Sequence, residues 1–362
     1  MLKKKPKLKI YYISELNIPN KSAYSIHVMK MCEAFSKIGF DTNLFTINSE
    51  NLKNINKVYN IKNYFKIISV FKNFKNLNFL SRIIFSKKIL SQNLDEKSII
   101  ISRSIVFALI ASMSKNNIIL ELHHEITGFS KIFYLFLKFF GLINNLKFIF
   151  LHNKLKNFYK TNSKNSIVLD DAVSLEDFNF TKKKVNKNTC VYIGSFFKGK
   201  GIEQIFRLAS QNRNINFHIY GEKKYLTQKK ERNIKIFDYV DYAKIPKILS
   251  NYDVALMPYQ MKVKGRSSVW LQKYMSPLKM FDYMAAKMII IASNLKVYNH
   301  ILKNNFNCKL VDINDDKKWS KTINYVFRNT KKFQYLKDNA FKTAKKYSWE
   351  KRCQKIISLT KK

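Results

Sequence analysis

The chain has 362 residues, 46% of them hydrophobic and 14% aromatic, which suits two medium domains with full cores and excludes a disordered chain. Its 67 Lys and Arg against 24 Asp and Glu leave a net charge of +43, so a polyanion or an anionic membrane surface is the natural partner. Part of that excess is what an adenine- and thymine-biased genome would give, since Lys, Asn and Ile are abundant together. Cys32, Cys190, Cys308 and Cys353 stand singly without a C-x-x-C pair, which indicates neither a disulfide framework nor a zinc site and points to a reducing cytosol.

The basic N-terminus, MLKKKPKLKIYYIS, passes straight into a strand without the apolar core of a signal peptide. Lys9 to Ser14 reads as that strand and Ser25 to Gly39 as the helix after it, with Gly39 at its C-terminal end. The loop between them, Glu15 to Tyr24, lies at a strand's carboxyl end, where α/β folds bind ligands. His27, inside the helix, reads as a packed histidine more readily than as a catalyst. After an Asn-rich region, Tyr64 to Leu90 spaces Phe65, Ile68, Phe71, Phe74, Leu80 and Ile84 near-helically among Lys66, Lys72, Lys75, Arg82, Lys87 and Lys88. Such a basic amphipathic stretch is either a helix on the sheet with solvated lysines or a membrane contact. Ile99 to Ser102 is a strand ending at Arg103, and Ile118 to His124 another, which sets His123 at a carboxyl end as a site candidate. Ile132 to Phe150 is Phe-rich, but Lys138, Asn144, Asn145 and Lys147 interrupt it, so it cannot cheaply span a bilayer. Lys147 to Leu151 and Ser166 to Leu169 give two more strands. The polar run Thr181 to Asn188 marks a boundary between domains at 1–180 and 189–345, followed by a C-terminal segment at 346–362.

The second half restarts the pattern. Thr189 to Ile193 is a strand, and GSFFKGKGIEQI, Gly194 to Ile205, is a glycine-containing turn entering a helix, the kind that cradles phosphate. Ile215 to Tyr220, Ile234 to Phe237 and Val254 to Met257 follow as strands. Then SPLKMFDYMAAKMIIIAS, Ser276 to Ser293, reads as a helix running into a buried strand. Ser276 has an N-cap side chain, Pro277 suits the first helical position, and Leu278, Phe281, Ala285 and Met288 form one apolar face before the run Ile289 to Ile291. Lys279 in the first turn is comfortable only beside an anion, and a phosphate would also take the free N–H groups there. Asp282, at i+3, is placed either to accept from a sugar diol or to pair with Lys279 on a solvated face.

This last stretch resembles the nucleotide-sugar signature S-P-x-K-x-F-E-Y-M-A-A-G-x-P-I-V-A-S of the retaining GT-B glycosyltransferases, family four. The resemblance implies an α/β fold of two Rossmann-like domains facing a cleft. It implies that the turn of Ser276, Pro277, Leu278 and Lys279 holds the donor diphosphate and that Asp282 binds the ribose diol. GSFFKGKGIE is similar to the family's G-x(n)-K-G-I-E loop, which brings Gly194, Ser195, Lys198 and Lys200 to the same diphosphate. Tyr220, Tyr239 and Val240 are expected along the donor, the last two where family members meet the base. KSAYSIHVMKM resembles the variant S-A-x-S-I-H-V-x-K-M, which sets Ser22 and Ala23 with Arg103 on the acceptor side. ELHH is similar to the family's E-x-H strand end, with His123 facing the donor sugar. YSWEKRCQKII, from Tyr347, resembles the closing helix that crosses back to the first domain. The chain departs from the pattern at Asp282, usually Glu, at Tyr274, where the family's first Glu would stand, at Ser195, usually Arg, and at Ala172, usually Gly.

The implied activity is retaining transfer of a hexose from a nucleotide-sugar to a glycan or lipid-linked acceptor in cell-surface polysaccharide or glycolipid synthesis. His123, Lys200 and Lys279 would be its catalytic groups, with no metal and no cofactor beyond the substrate. The expected place is the cytoplasm, peripheral on the inner face of the membrane, and no specific nucleic acid is expected. Two rivals stand: a sugar-nucleotide epimerase, which would want several acids for proton transfer, and a basic nucleic-acid-binding protein, which would leave the SPLK helix unexplained.

Overall fold

The computed structural model describes residues 8–72, 74, 76–113, 117–180, 185–226, 231–263 and 273–361. Lys75 and the start of the Thr181 run lie outside the described residues. The chain divides into two units, Met1–Asp170 with Trp349–Lys362, and Asp171–Ser348.

In the first unit the strands are β1 (Lys9–Ile13), β2 (Asn17–Ile18), β3 (Asp41–Thr46), β4 (Asn48–Ser49), β5 (Lys66–Ser69), β6 (Ile99–Ser102), β7 (Ile118–Leu122), β8 (Lys147–Phe150) and β9 (Ser166–Val168). Seven of them form one parallel sheet in the order β5-β3-β1-β6-β7-β8-β9, and β2 and β4 pair separately. The order reverses between β1 and β6, so the crevice at their carboxyl ends is the topological switch point at which such sheets bind ligands. The helix Trp349–Thr360 packs on the helix Ala23–Lys37, where Lys37 meets Glu350 at 2.8 Å and the Cys353 thiol donates to the Met31 carbonyl at 3.7 Å.

The second unit repeats the plan with β10 (Thr189–Ile193), β11 (Asn216–Tyr220), β12 (Ile234–Phe237), β13 (Val254–Met257), β14 (Ile289–Ser293) and β15 (Lys309–Val311), parallel throughout in the order β12-β11-β10-β13-β14-β15. Because side chains alternate across a strand, Val191, Ala255 and Ile290 enter one core while Cys190, Val254 and Ile289 enter the other. Both faces are covered, which is why the Ile289 to Ile291 run reads as continuous apolar sequence. The switch point lies between β10 and β13.

Two sequence expectations are corrected. Tyr64 to Leu90 is not one amphipathic helix: Lys66–Ser69 pairs with β3 as the sheet's edge strand, and only Phe79–Leu90 is helical, capped by the Asn78 side chain. The β-branched pair Ile67 and Ile68, with a partner strand beside them, outweighs a helical spacing that the Asn-rich surroundings made ambiguous. Ser276 does not cap its helix either. Leu278–Ala285 has Pro277 at the N-cap position, and the Ser276 hydroxyl accepts instead from the Asp171 N–H at 3.0 Å.

Candidate donor site and a buried carboxylate hub

At the switch point of the second sheet the loop after β10 starts with Gly194 and the loop after β13 with Pro258 and Tyr259. The first turn of the Leu278–Ala285 helix sends Lys279 between them. Its ammonium lies 3.5 Å from the centre of the Tyr192 ring and 5.4 Å from that of Tyr259, and Lys200 lies 4.9 Å from the Tyr259 ring. Aromatic faces attract a cation, but they accept no ordinary hydrogen bond. Among the described residues Lys279 Nζ is buried with no hydrogen-bond partner. Gly194, at φ 150°, is required by this arrangement, since a Cβ there would collide with the Lys279 ammonium. Gly201, at φ 85°, caps the helix Ile202–Gln211 and presses against the Pro258 carbonyl, so the K-G-K-G turn is held against the β13 loop.

Burial pushes the Lys279 pKa well below the ordinary lysine value, and the charge of Lys200 pushes it further, with Asp282 opposing. Burial lowers Lys200 to about 8. Two desolvated cations that repel one another, with no shared carboxylate contact among the described residues, are what a bound diphosphate would relieve. Asp282 is buried and accepts from the Tyr242 hydroxyl at 3.1 Å, so Lys279 and Asp282 are not a pair on a solvated face. Tyr274, where the signature has its first Glu, is buried.

The other residues expected along the donor are more dispersed. Ser195 accepts from the Tyr192 hydroxyl through its carbonyl at 2.8 Å, and Leu278 is buried behind the turn. Lys198 is exposed. Tyr220 stacks on Phe237 at 4.3 Å and shares a hydrogen bond with Tyr252, a core role, while Tyr239 and Val240 are half-buried after β12.

In the first unit one site candidate, His123, meets Glu121, to which the sequence gave no role beyond opening the ELHH strand end. Glu121, at the end of β7, is buried, and its Oε1 lies 2.8 Å from His123 Nε2, 2.9 Å from His27 Nε2 and 2.9 Å from Arg352 Nη2. Its Oε2 accepts from the Tyr12 hydroxyl at 2.8 Å. Burial alone would raise its pKa, but His27, Arg352 and the His123 donor hold it well below the carboxylate range. His27, Glu121 and His123 bring three potential ligand atoms within 4.8 Å. A divalent cation there would face the Arg352 guanidinium on the same oxygen, so the cluster reads as a hydrogen-bond hub rather than a metal centre. Arg103, at the end of β6, stacks on Tyr24 at 3.9 Å. Ser22 caps the Ala23–Lys37 helix through its side chain, leaving Ala23 exposed.

Burial and the Arg103 charge lower His123 to about 3, against the pull of Glu121. It is therefore a neutral imidazole that donates through Nε2, suited to hydrogen-bonding a hydroxyl and not to acting as an acid near neutrality. The unfolded chain binds this proton near pH 6.5 and the folded chain only near 3, so stability present above pH 6.5 is lost as pH falls. Urea unfolding at pH 6.5 and 4.5 should show a loss approaching ~1.4 kcal/mol per pH unit that His123→Gln removes. An equal loss in the variant would mean that other groups carry it.

Residues 173–343, nearly all of the second unit, match the family described as Glycosyl transferases group 1. The second unit is a Glycosyl transferases group 1 domain, and the chain has the GT-B fold. Solved structures with the same fold include Anabaena HepE in complex with UDP and glucose, at TM-score 0.72 and 12% identity over 97% of this chain and 99% of that one. A glycosyltransferase from Rickettsia africae gives TM-score 0.70 and 15% identity, covering 98% of both chains. A variant of TarM from S. aureus, in complex with fondaparinux, α-GlcNAc-glycerol and UDP, gives 0.72 and 14% over 98% of this chain and 100% of that one. A search of curated proteins found no significant match.

Proposed function

We propose that this glycosyltransferase is a retaining one that moves a hexose from a nucleoside diphosphate sugar to a glycan or lipid-linked acceptor, without a resident metal, in the making of cell-surface polysaccharide or glycolipid. The observation that carries the donor assignment is the buried Lys279 ammonium, held on Tyr192 beside Lys200 with no hydrogen-bond partner among the described residues. As the bond between the anomeric carbon and the diphosphate oxygen breaks, negative charge grows on the diphosphate. The two lysines and the N–H groups of the Leu278 turn supply fixed positive charge there, so rate comes from positioning and electrostatics. The retaining mode rests on the resemblance of Ser276 to Ser293 to the family-four signature. Uridine is the favoured base, because HepE and TarM are solved with UDP.

A thermal-shift screen tests the donor class: UDP should raise the melting temperature more than GDP or ADP. A response to none of the three would remove the nucleotide-sugar reading.

Asp282 is proposed to hold the ribose diol, with Tyr242 fixing its carboxylate. Asp282→Asn should then erode the preference for UDP over 2′-deoxy-UDP by about tenfold, the scale of one charge-assisted hydrogen bond. Undiminished discrimination would leave Asp282 as the buried counter-charge of Lys279 alone.

A further inference from the structure

The helix Gly128–Phe139 is built the wrong way round for a helix on a soluble surface. Its inward face is Ser130, Tyr134 and Leu137, all buried. Its outward stripe, Phe129, Ile132, Leu135, Phe136 and Phe139 with Phe140 just beyond, is apolar, and these side chains are between 51% and 85% exposed. At 100° per residue the stripe is one continuous arc opposite the buried face, bordered along one edge by Lys131 and Lys138. The surface extends to a second helix: Phe79, at the start of Phe79–Leu90, lies 5.9 Å from Phe129 and 6.4 Å from Phe133, and Leu80 and Ile84 behind it are exposed. A patch of this kind on a soluble chain marks something that covers it.

Charge names the cover. Residues 126–169 contain no Asp or Glu and seven lysines, and residues 51–94 contain none and nine Lys or Arg, so both helices rise from acid-free, basic segments. A second copy would bring the same cations against themselves, whereas an anionic lipid surface would accept the phenylalanines and satisfy the lysines together. Among the described residues no helix is long and apolar enough to cross a membrane, so the fitting mode is lying in the interface.

We propose that the outward face of Gly128–Phe139, continued by Phe79, Leu80 and Ile84, is a membrane-docking surface that seats the first unit in an anionic bilayer. This moves the contact from the basic stretch of Lys66 to Lys88, which the sequence left open between a solvated helix and a membrane contact, to phenylalanines that the sequence read only as an interrupted apolar stretch. It stands apart from the sugar-transfer reading, since docking needs no donor.

Co-sedimentation of the full chain with phosphatidylglycerol–phosphatidylcholine vesicles, and with phosphatidylcholine vesicles, tests it. The wild type should partition to the anionic vesicles, less at high salt, and Phe136→Ser/Phe139→Ser should weaken that partition by about tenfold or more with UDP affinity unchanged. Lys131→Gln/Lys138→Gln should weaken it less and flatten its salt dependence. A serine variant that binds as the wild type does would overturn the proposal. So would a wild type that ignores both vesicles but sediments as a dimer that the serine variant breaks, since a second copy would then be the cover.

Discussion

Replacing Arg352 by Ala should cost the first unit about 3–5 kcal/mol, the penalty for removing one partner of a buried ion pair. The pair is deep: the Arg352 side chain is 3% exposed and that of Glu121 0%, with 2.9 Å between Nη2 and Oε1. Arg352 also donates to the carbonyls of Asp170 and Leu169, so the same change orphans the end of the last strand of the sheet. Glu121 would keep its donors Tyr12 and His123 but lose a fixed positive charge, and its pKa would climb towards the value that burial favours. Arg352→Met with Glu121→Gln should cost less than Arg352→Ala, because it removes both charges and keeps their volume. Urea unfolding read on the first transition checks this. A loss under about 1 kcal/mol for Arg352→Ala would mean that the hub is a by-product of packing.

That hub shows where the sequence stops being informative. The strands that carry the fold were legible because they are short apolar runs between polar turns: Ile99–Ser102, Thr189–Ile193, Ile234–Phe237 and Val254–Met257 lie where the pattern places them. The strands Asp41–Thr46 and Lys66–Ser69 were not, since DTNLFT and KIIS mix polar and apolar residues as loops do. Strand pairing decides them. At the candidate donor site, Lys279 and Lys200 stood out because a cation in a helix's first turn and a Gly-Lys-Gly turn are local signals. Tyr192 and Tyr259, which hold the two ammonium groups, carry no local mark and look like core aromatics. Arg352 reaches Glu121 across 231 positions, and no spacing rule connects them. Ser276 failed for a related reason: its cap-like position was overruled by the Asp171 N–H, a partner 105 residues away.

The central claim is that Lys279 and Lys200 form one diphosphate site. Lys279→Ala should weaken UDP binding by about 1.5–3 kcal/mol, roughly 10- to 150-fold, the scale of a charge-assisted hydrogen bond to a phosphate. Lys279→Met, which keeps the stem on Tyr192, should lose about as much, because the ammonium rather than the packing binds. Wild-type affinity should also fall as pH rises above about 8, where free Lys200 gives up its proton but the complex needs it, by up to ~10-fold per pH unit. Isothermal calorimetry of UDP against the wild type and Lys279→Met, at pH 7 and pH 9, reads both effects in one series. The account predicts weakened binding in the variant at pH 7 and weakened wild-type binding at pH 9; equal affinities across all four titrations, with the variant folded, would contradict it.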